Sequence, residues 1–353
     1  MEDIYREIEQ LRSRREKVVL ATIITKLGPA PRERGAKLLV REDGTTMGTI
    51  SGGCVEAEIW QAAMAAFKTG KPRIIGFHLT EKDAVESGLI CGGMIEVYLD
   101  PLGKGYGSIE DNIFPEIVHI FSRGEKAFLA TTIPRTEEAA QGKLLIKEDG
   151  TILGSLGDNL LNNLVLEHIK SIRKEEPGVV FIRDTEIYLE PIIPTPVLYI
   201  FGGGHISLPL VRMGKIVGFR IVVVDDRELY ANKNRFPETD EVYALDFETF
   251  FEKFKLPPFA YVIIVTRGHQ YDELVLEKAL KTGAAYIGMI GSKRKVKFTY
   301  DNLLARGTIT QDALARVHSP IGLDIKAETP EEIARPASLP IDIIYSDTAK
   351  PFR

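Results

Sequence analysis

The sequence predicts an α/β protein with two domains: an N-terminal α+β domain built on an internal repeat, and a C-terminal Rossmann-like domain around a parallel sheet. Three observations lead there. Residues 197–227, VLYIFGGGHISLPLVRMGKIVGFRIVVVDDR, run as strand, glycine turn, helix, strand. KAFLATTI from Lys126 and GKLLIKEDGTILGSLGDNL from Gly142 repeat KVVLATII from Lys17 and AKLLVREDGTTMGTISGGC from Ala36. PIIPTP, residues 191–196, separates the two patterns as a proline-rich link. The expected layout is a domain over 1–190 with halves at 17–100 and 126–190, a linker at 191–196, a Rossmann-like domain over 197–335, and an atypical tail at 336–353.

A length of 353 residues suits two domains, each with its own core. The net charge of −5 argues against nucleic acid as a partner, because such binders carry a basic face. No apolar run approaches the roughly 20 residues of a membrane span. MEDIYREIEQLRSRREK is a charged amphipathic helix and lacks the pattern of a signal peptide. Two cysteines in so long a chain suit a reducing compartment, so a cytoplasmic location is expected.

In chain order, Val18 to Ile24 is a buried strand, and TKLGPAPRERG, residues 25–35, an Arg-rich loop. A hairpin turning at Glu42-Asp43-Gly44 follows. Ser51, Gly52, Gly53 and Cys54 lead into a helix over 55–67. A strand over 73–79, a polar loop carrying Cys91, Gly92 and Gly93, and a strand over 94–99 end the first half. Aligned on EDGT, the second copy has Gly157, Asp158, Asn159 and Leu160 where the first has Ser51 to Cys54. It also lacks the Cys91 segment and the Arg-rich loop. Residues that hold the fold should recur in both copies; those present once are candidates for chemistry. Cys54 at a helix start feels the positive end of the dipole, about 0.3–1 kcal/mol. That leaves a thiol of pKa about 8.5 mostly protonated at pH 7. A reactive thiolate needs a cation too, and Arg32 and Arg34 are the candidates; the alternative is a small buried side chain. Cys91 has the same two readings. Two cysteines make no closed zinc site, whereas a metal carried inside a cofactor, or its sulfur, suits soft thiolates.

In the C-terminal domain, five strand ends lead into loops on one sheet edge: GGGH, DDR, LDF, TRGHQYD and GSKRK. Ligands of open parallel sheets bind at that edge. Gly202, Gly203, Gly204 and His205 form the first loop, with Ser207 where a third spaced glycine is usual. Asp225 is expected to face a ribose hydroxyl. Ser292, Lys293, Arg294 and Lys295 at a helix start suit an anionic ligand with a phosphate. His205 and His269 are either ligand-facing or backbone-bonded turn residues, and Asp272 is a candidate helix cap. An NAD(P)-dependent oxidoreductase with His205 or His269 as acid/base is one reading of this edge; a Rossmann-like domain holding no NAD, or serving only interaction, is another.

With SGGCVE, GGGH, VDDR, TRGHQYD, YIGMIGSKRK and HSPIGLDIKAETPEEIA in view, the chain resembles the XdhC/CoxI family, accessory proteins of molybdenum hydroxylases such as xanthine dehydrogenase. The resemblance runs from about Lys17 to Ala334. It implies a carrier and chaperone of the molybdenum cofactor, in mono- or dinucleotide form, with no metabolite turnover. It also implies cofactor sulfuration fed by a cysteine desulfurase, delivery to an apo-enzyme of the molybdenum hydroxylase class, and a homodimer. On it, Cys54, with Gly52 and Gly53, corresponds to the family's SGGC motif and contacts the molybdenum or its sulfur. Cys91 corresponds to the CGG motif, as a second ligand or sulfur relay. The loops at 202–205 and 291–295 hold the pterin phosphate or a nucleotide. The chain departs from the family after Ala334, where RPASLPIDIIYSDTAKPFR replaces a further helix.

Overall fold

A computed structural model describes residues 1–51, 53–78, 93–103, 112–136, 141–172, 175–257 and 259–321, with Thr329, Glu332 and Ala334. The backbone of Cys54 is described but its side chain is not. Gly52, Cys91, Gly92 and the tail at 336–353 lie outside the described residues. The chain divides into two compact units, Met1–Pro194 and one beginning at Thr195.

The first unit is the internal repeat made solid. Its first copy runs α1 (Glu2–Ser13), β1 (Val18–Leu27), β2 (Lys37–Arg41), β3 (Thr46–Gly48), α2 (Cys54–Thr69), β4 (Arg73–His78) and β5 (Met94–Leu102). Its second runs α3 (Ile113–Arg123), β6 (Ala127–Thr132), β7 (Lys143–Lys147), β8 (Ile152–Ser155), α4 (Asn159–Ser171), β9 (Gly178–Ile182) and β10 (Thr185–Ile192). The two antiparallel sheets have matching orders, β3-β2-β1-β5-β4 and β8-β7-β6-β10-β9. Both central strands are apolar on both faces, as a strand covered on both sides must be. Val19, Ala21 and Ile23 of β1 face Val55, Ile59 and Ala63 of α2. Val18 and Leu20 face a core shared with Ala127 and Leu129 of β6. Into that shared core α1 sends Ile4, Tyr5, Ile8 and Leu11, and α3 sends Ile113, Phe114, Ile117 and Ile120, the same helical spacing twice. The copies thus include a leading helix that the strand match at 126 did not reveal. β1 also runs three residues past the expected strand, so the Arg-rich loop begins at Gly28.

Ion pairs cross between the copies reciprocally. Lys37 of the first donates to Glu190 of the second at 2.9 Å, and to Thr22 at 3.1 Å. Lys143, the counterpart of Lys37, reaches Asp100, the counterpart of Glu190, at 2.7 Å. Lys37 and Glu190 are each 3% exposed at the side chain, so neither charge has water to fall back on. Arg135 of the second copy bridges Glu96 and Glu186, which are themselves counterparts. That contact holds the Glu96 carboxyl below its usual value.

The second unit runs β11 (Val197–Phe201), α5 (Ser207–Ile216), β12 (Arg220–Asp225), β13 (Glu241–Ala244), α6 (Phe247–Lys253), β14 (Ala260–Ile264), α7 (His269–Leu280), β15 (Tyr286–Met289), α8 (Lys293–Ala305), α9 (Gln311–Leu314) and β16 (Val317–His318). All strands are parallel, in the order β13-β12-β11-β14-β15-β16. That is the doubly wound order with its switch between the first and fourth strands. Alternate residues fill opposite faces. Phe201, Val222, Val224, Val262 and Ile264 pack under α6 to α8, while Leu198, Ile200, Ile221, Val223 and Ile263 pack with Leu210 and Val211 of α5. The sixth strand, at Val317–His318, is a pairing the short HSP motif did not announce.

Lys37→Ala would leave Glu190 buried without its cation and should cost about 3–5 kcal/mol in urea unfolding. The double variant Lys37→Met, Glu190→Leu should lie much closer to wild type. A single-variant loss below about 1 kcal/mol would show that the pair does not join the copies.

Candidate functional site

The segments found only in the first copy leave from one edge of its sheet. The pairing puts the end of β1 beside the starts of β2 and β5, and the end of β3 beside the start of β2: Thr22 lies opposite Lys37, Leu27 opposite Met94, and Leu38 opposite Gly48. The Arg-rich loop, the lead into α2 and the end of the Cys91 segment therefore meet there. Gly93 lies hard against the Arg-rich loop, since a Cβ on it would sit 2.2 Å from the Pro29 carbonyl oxygen. In the second copy a two-residue turn at Arg183 and Asp184 replaces the Cys91 segment between β9 and β10.

The helix start itself differs between copies. Asp158 caps α4, accepting from the Leu160 N–H at 3.0 Å. α2 has no side-chain cap; its N-cap Gly53 has φ 65°, a conformation that favours glycine. Glu56 holds the approach instead, accepting from Thr49 Oγ1 at 2.6 Å, Ile50 N at 3.0 Å and Ser51 N at 3.2 Å. Asn162 does the same for Leu156 in the second copy, at 2.9 Å. The α2 start therefore keeps N–H groups free of side-chain caps and a dipole suited to an anion or thiolate. Ser51 is buried, and its Oγ has no hydrogen-bond partner among the described residues. Of the two expected cations, Arg34 stands 3.9 Å from Glu176, while exposed Arg32 has no ion pair with a described residue.

The other place is the carboxyl edge of the parallel sheet. A Cβ on Gly202 (φ 111°) would sit 2.4 Å from the Val265 carbonyl oxygen, and one on Gly203 2.1 Å from that of Tyr230. One on Gly204 would meet no atom within 4 Å. Packing thus explains the first two glycines and leaves the third open to a ligand. Ser207, in place of the third spaced glycine, is fully buried and donates its hydroxyl to the Gly202 carbonyl. His205 is exposed beside this turn.

Asp225 is 2% exposed and is turned onto the glycine turn. Its Oδ2 accepts from Gly203 N at 2.8 Å and Arg227 Nη2 at 3.0 Å; its Oδ1 accepts from Arg227 N at 3.0 Å and Nε at 2.9 Å. Burial pushes its pKa up, but the bonds from Arg227 and the Gly203 N–H outweigh that and hold it below the usual value. The carboxylate expected to meet a ribose is engaged within the protein. Its neighbour Asp226 is the more accessible acid, 19% exposed, and it pairs with Arg267 at 2.6 Å. The second aspartate of VDDR was the signal for this residue.

The remaining residues divide. Ser292 caps α8, accepting from the Lys295 N–H at 3.3 Å, and Lys293 and Arg294 are exposed beside it. Lys295 turns inward to Asp272. Asp272 is not the cap of α7, which is Gly268; it is fully buried, hydrogen-bonded by Thr266 Oγ1 at 2.5 Å. Burial raises its pKa, against the pull of Lys295 and Thr266. His269 opens α7, exposed, its ring edge-on to Phe298 at 5.9 Å and thus toward α8. Among the described residues no group of three His, Cys, Asp or Glu side chains could hold a metal ion, and no helix is long and apolar enough to cross a membrane.

A doubly wound parallel-sheet unit and a duplicated antiparallel-sheet unit, each described by itself, define the class. Residues 198–335 match the XdhC Rossmann domain, and residues 11–78 match the XdhC and CoxI family. The chain belongs to the XdhC and CoxI family. It is 27% identical over 336 residues to a probable xanthine dehydrogenase subunit of Bacillus subtilis (strain 168), covering 95% of both chains. It is 40% identical over 86 residues to the molybdenum cofactor insertion chaperone PaoD of Escherichia coli (strain K12), a match spanning 24% of this chain and 26% of that one. A crystal structure described as a xanthine dehydrogenase from Bacillus halodurans superposes with a TM-score of 0.76 at 27% identity, over 97% of this chain and 96% of that one.

Asp225→Ala should lower stability by about 2–3 kcal/mol, since it strands the Gly203 N–H and the Arg227 guanidinium. Because the folded pKa is depressed, the carboxylate's contribution is complete above an unfolded value of about 3.9 and is lost as pH falls through the folded one. Thermal melts of wild type and Asp225→Asn should therefore differ at pH 7 and converge toward pH 2; a gap that persists in acid would refute the clamp.

Proposed function

We propose that this protein is an accessory factor that holds the molybdenum cofactor for a xanthine dehydrogenase-like molybdenum hydroxylase. The observation that carries this reading is the gathering of the first copy's own segments at one sheet edge, on a fold whose second copy has capped and shortened the same places. The likeness to a cofactor insertion chaperone and to a probable xanthine dehydrogenase subunit supports the same role. The donor set fits such a cofactor: a helix start without a side-chain cap and a Ser51 hydroxyl without a partner, both among the described residues, suit an anionic group, and soft thiolates suit molybdenum or sulfur.

In this reading Cys54 is the ligand to the metal or its sulfur, Gly52 and Gly53 let the group approach, and Arg32 favours the thiolate. Cys91, whose segment ends at the same edge, is the second ligand or the sulfur relay. The loops at 202–205 and 291–295 of the second unit are suited to a phosphate or a nucleotide, through Gly204, Lys293 and Arg294. The cofactor itself supplies the redox and sulfur chemistry that its client enzyme uses. The finer reading includes sulfuration fed by a cysteine desulfurase and a working homodimer. An NAD(P)-dependent oxidoreductase is the second reading, favoured by the strand order. Against it, Asp225, the acid expected at its ribose, is instead engaged by Gly203 and Arg227.

Binding of molybdenum cofactor and of NAD(P)H to the anaerobic full-length protein separates the two. Cofactor should bind wild type and be lost at least about 100-fold in Cys54→Ser, more than outer partners of a metal usually contribute. The melting temperature should stay close to wild type. NAD(P)H binding with no cofactor binding would reverse the assignment.

A further inference from the structure

The ends of β12 and β14 flank the end of β11, because both pair with it in parallel: Phe201 lies beside Val224 on one side and Ile264 on the other. Neighbouring strands are about 4.8 Å apart, so the two outer ends stand about 10 Å from each other across the glycine turn. Among the described residues, an ion pair spans that gap. Arg267 Nη2, from the loop after β14, donates to Asp226 Oδ2, from the loop after β12, at 2.6 Å. Tyr271 braces the arginine, with its hydroxyl 2.9 Å away and its ring centroid 4.9 Å from the guanidinium.

The other cations near the turn each hold a protein group. Arg227 donates both Nε and Nη2 to buried Asp225, lies 3.7 Å over the Tyr230 ring, and has its Nε 3.7 Å from Asp226 Oδ1 as a second, longer ion pair. Arg235 Nε donates to the Gly203 carbonyl at 2.9 Å, and its Nη2 is buried with no hydrogen-bond partner among the described residues. Arg267 differs: its side chain is 43% exposed, and it holds Asp226 through one nitrogen. An exposed pair of this kind shifts an equilibrium by only about 1.5- to 5-fold. A phosphate, which can take both ends of the guanidinium fork, binds arginine more strongly.

We propose that the Asp226–Arg267 pair is a latch across the glycine-turn crevice, opened by a ligand that carries a nucleoside diphosphate. The ligand's phosphate takes Arg267, and the released Asp226 accepts a hydrogen bond from a ribose hydroxyl. This deepens the reading that the strand-end loops of the second unit take a phosphate or a nucleotide, on which it rests, by naming a nucleoside diphosphate as the group this crevice takes. Asp226 then has two opposite effects. Toward a bare pyrophosphate it only competes for Arg267 and repels. Toward a nucleotide it competes and is repaid by the ribose contact.

Calorimetric titration of the full-length protein with inorganic pyrophosphate and with ADP tests this. ADP serves because the contacts concern ribose and phosphate, not the base. Asp226→Asn should bind pyrophosphate about 1.5- to 5-fold tighter than wild type and lose part of the margin by which ADP exceeds pyrophosphate. Arg267→Gln should bind both at least about tenfold more weakly, and Arg267→Lys should recover part of that. Asp226→Ser gives the same comparison if Asp226→Asn folds poorly. The latch is overturned if the Asp226 variants bind pyrophosphate no tighter than wild type, if Arg267→Gln binds as wild type does, or if wild type binds neither ligand. Cofactor binding that depends on Cys54, measured on the same preparation, would survive such a failure; its absence would instead remove the accessory role.

Discussion

The glycine turn of the second unit can exist because one buried carboxylate holds it. Asp225 continues the row of Ile221 and Val223, the face of β12 that α5 covers, and so arrives beneath the turn. There it binds the Gly203 N–H and the Arg227 guanidinium together. The turn must also press against the Val265 and Tyr230 carbonyls, so no side chain fits at 202 or 203. The carboxylate, the two glycines and the Ser207 hydroxyl fix the loop before any ligand arrives. What they leave uncommitted around them is the open side of Gly204 and the exposed His205.

The first unit solves a different problem. An antiparallel sheet of five strands with one helix leaves its second face bare, and two copies cover each other's bare faces. The shared core of α1, α3, β1 and β6 provides most of the apolar burial between them, at about 1.5–3 kcal/mol for each large side chain removed from water. The crossed lysine–carboxylate pairs fix which face meets which. Apolar packing alone tolerates sliding, and a buried charge does not.

Much of this was legible in the sequence. EDGT marked the register of both copies, and the strands on either side recur with their apolar alternation. The parallel sheet announced itself through short apolar runs ending in glycine, acid or basic loops. What stayed hidden depends on direction in space. Two adjacent aspartates look alike in a sequence, yet alternation along the strand turns Asp225 inward and leaves Asp226 outward. Asp272 looked like a cap because it stands near a helix start, but its side chain lies a turn inside the helix, where Lys295 reaches it. α3 repeats α1 with Ile113 for Ile4, Phe114 for Tyr5, Glu116 for Glu7 and Ile117 for Ile8, but these matches are scattered along a helical spacing and lie ahead of the strands at which the plain repeat begins.

The reciprocal pairs of Lys37 with Glu190 and Lys143 with Asp100 carry one more consequence. A lone copy would bury an unanswered lysine and an unanswered carboxylate unless another molecule of the same kind faced it. The arrangement is that of two identical protomers joined into one polypeptide. Joining them ends the obligation to be identical, since a change in one half no longer appears in the other. One half could then keep a short hairpin and a capped helix as ballast, while the other acquired a long loop, two cysteines and an open helix end.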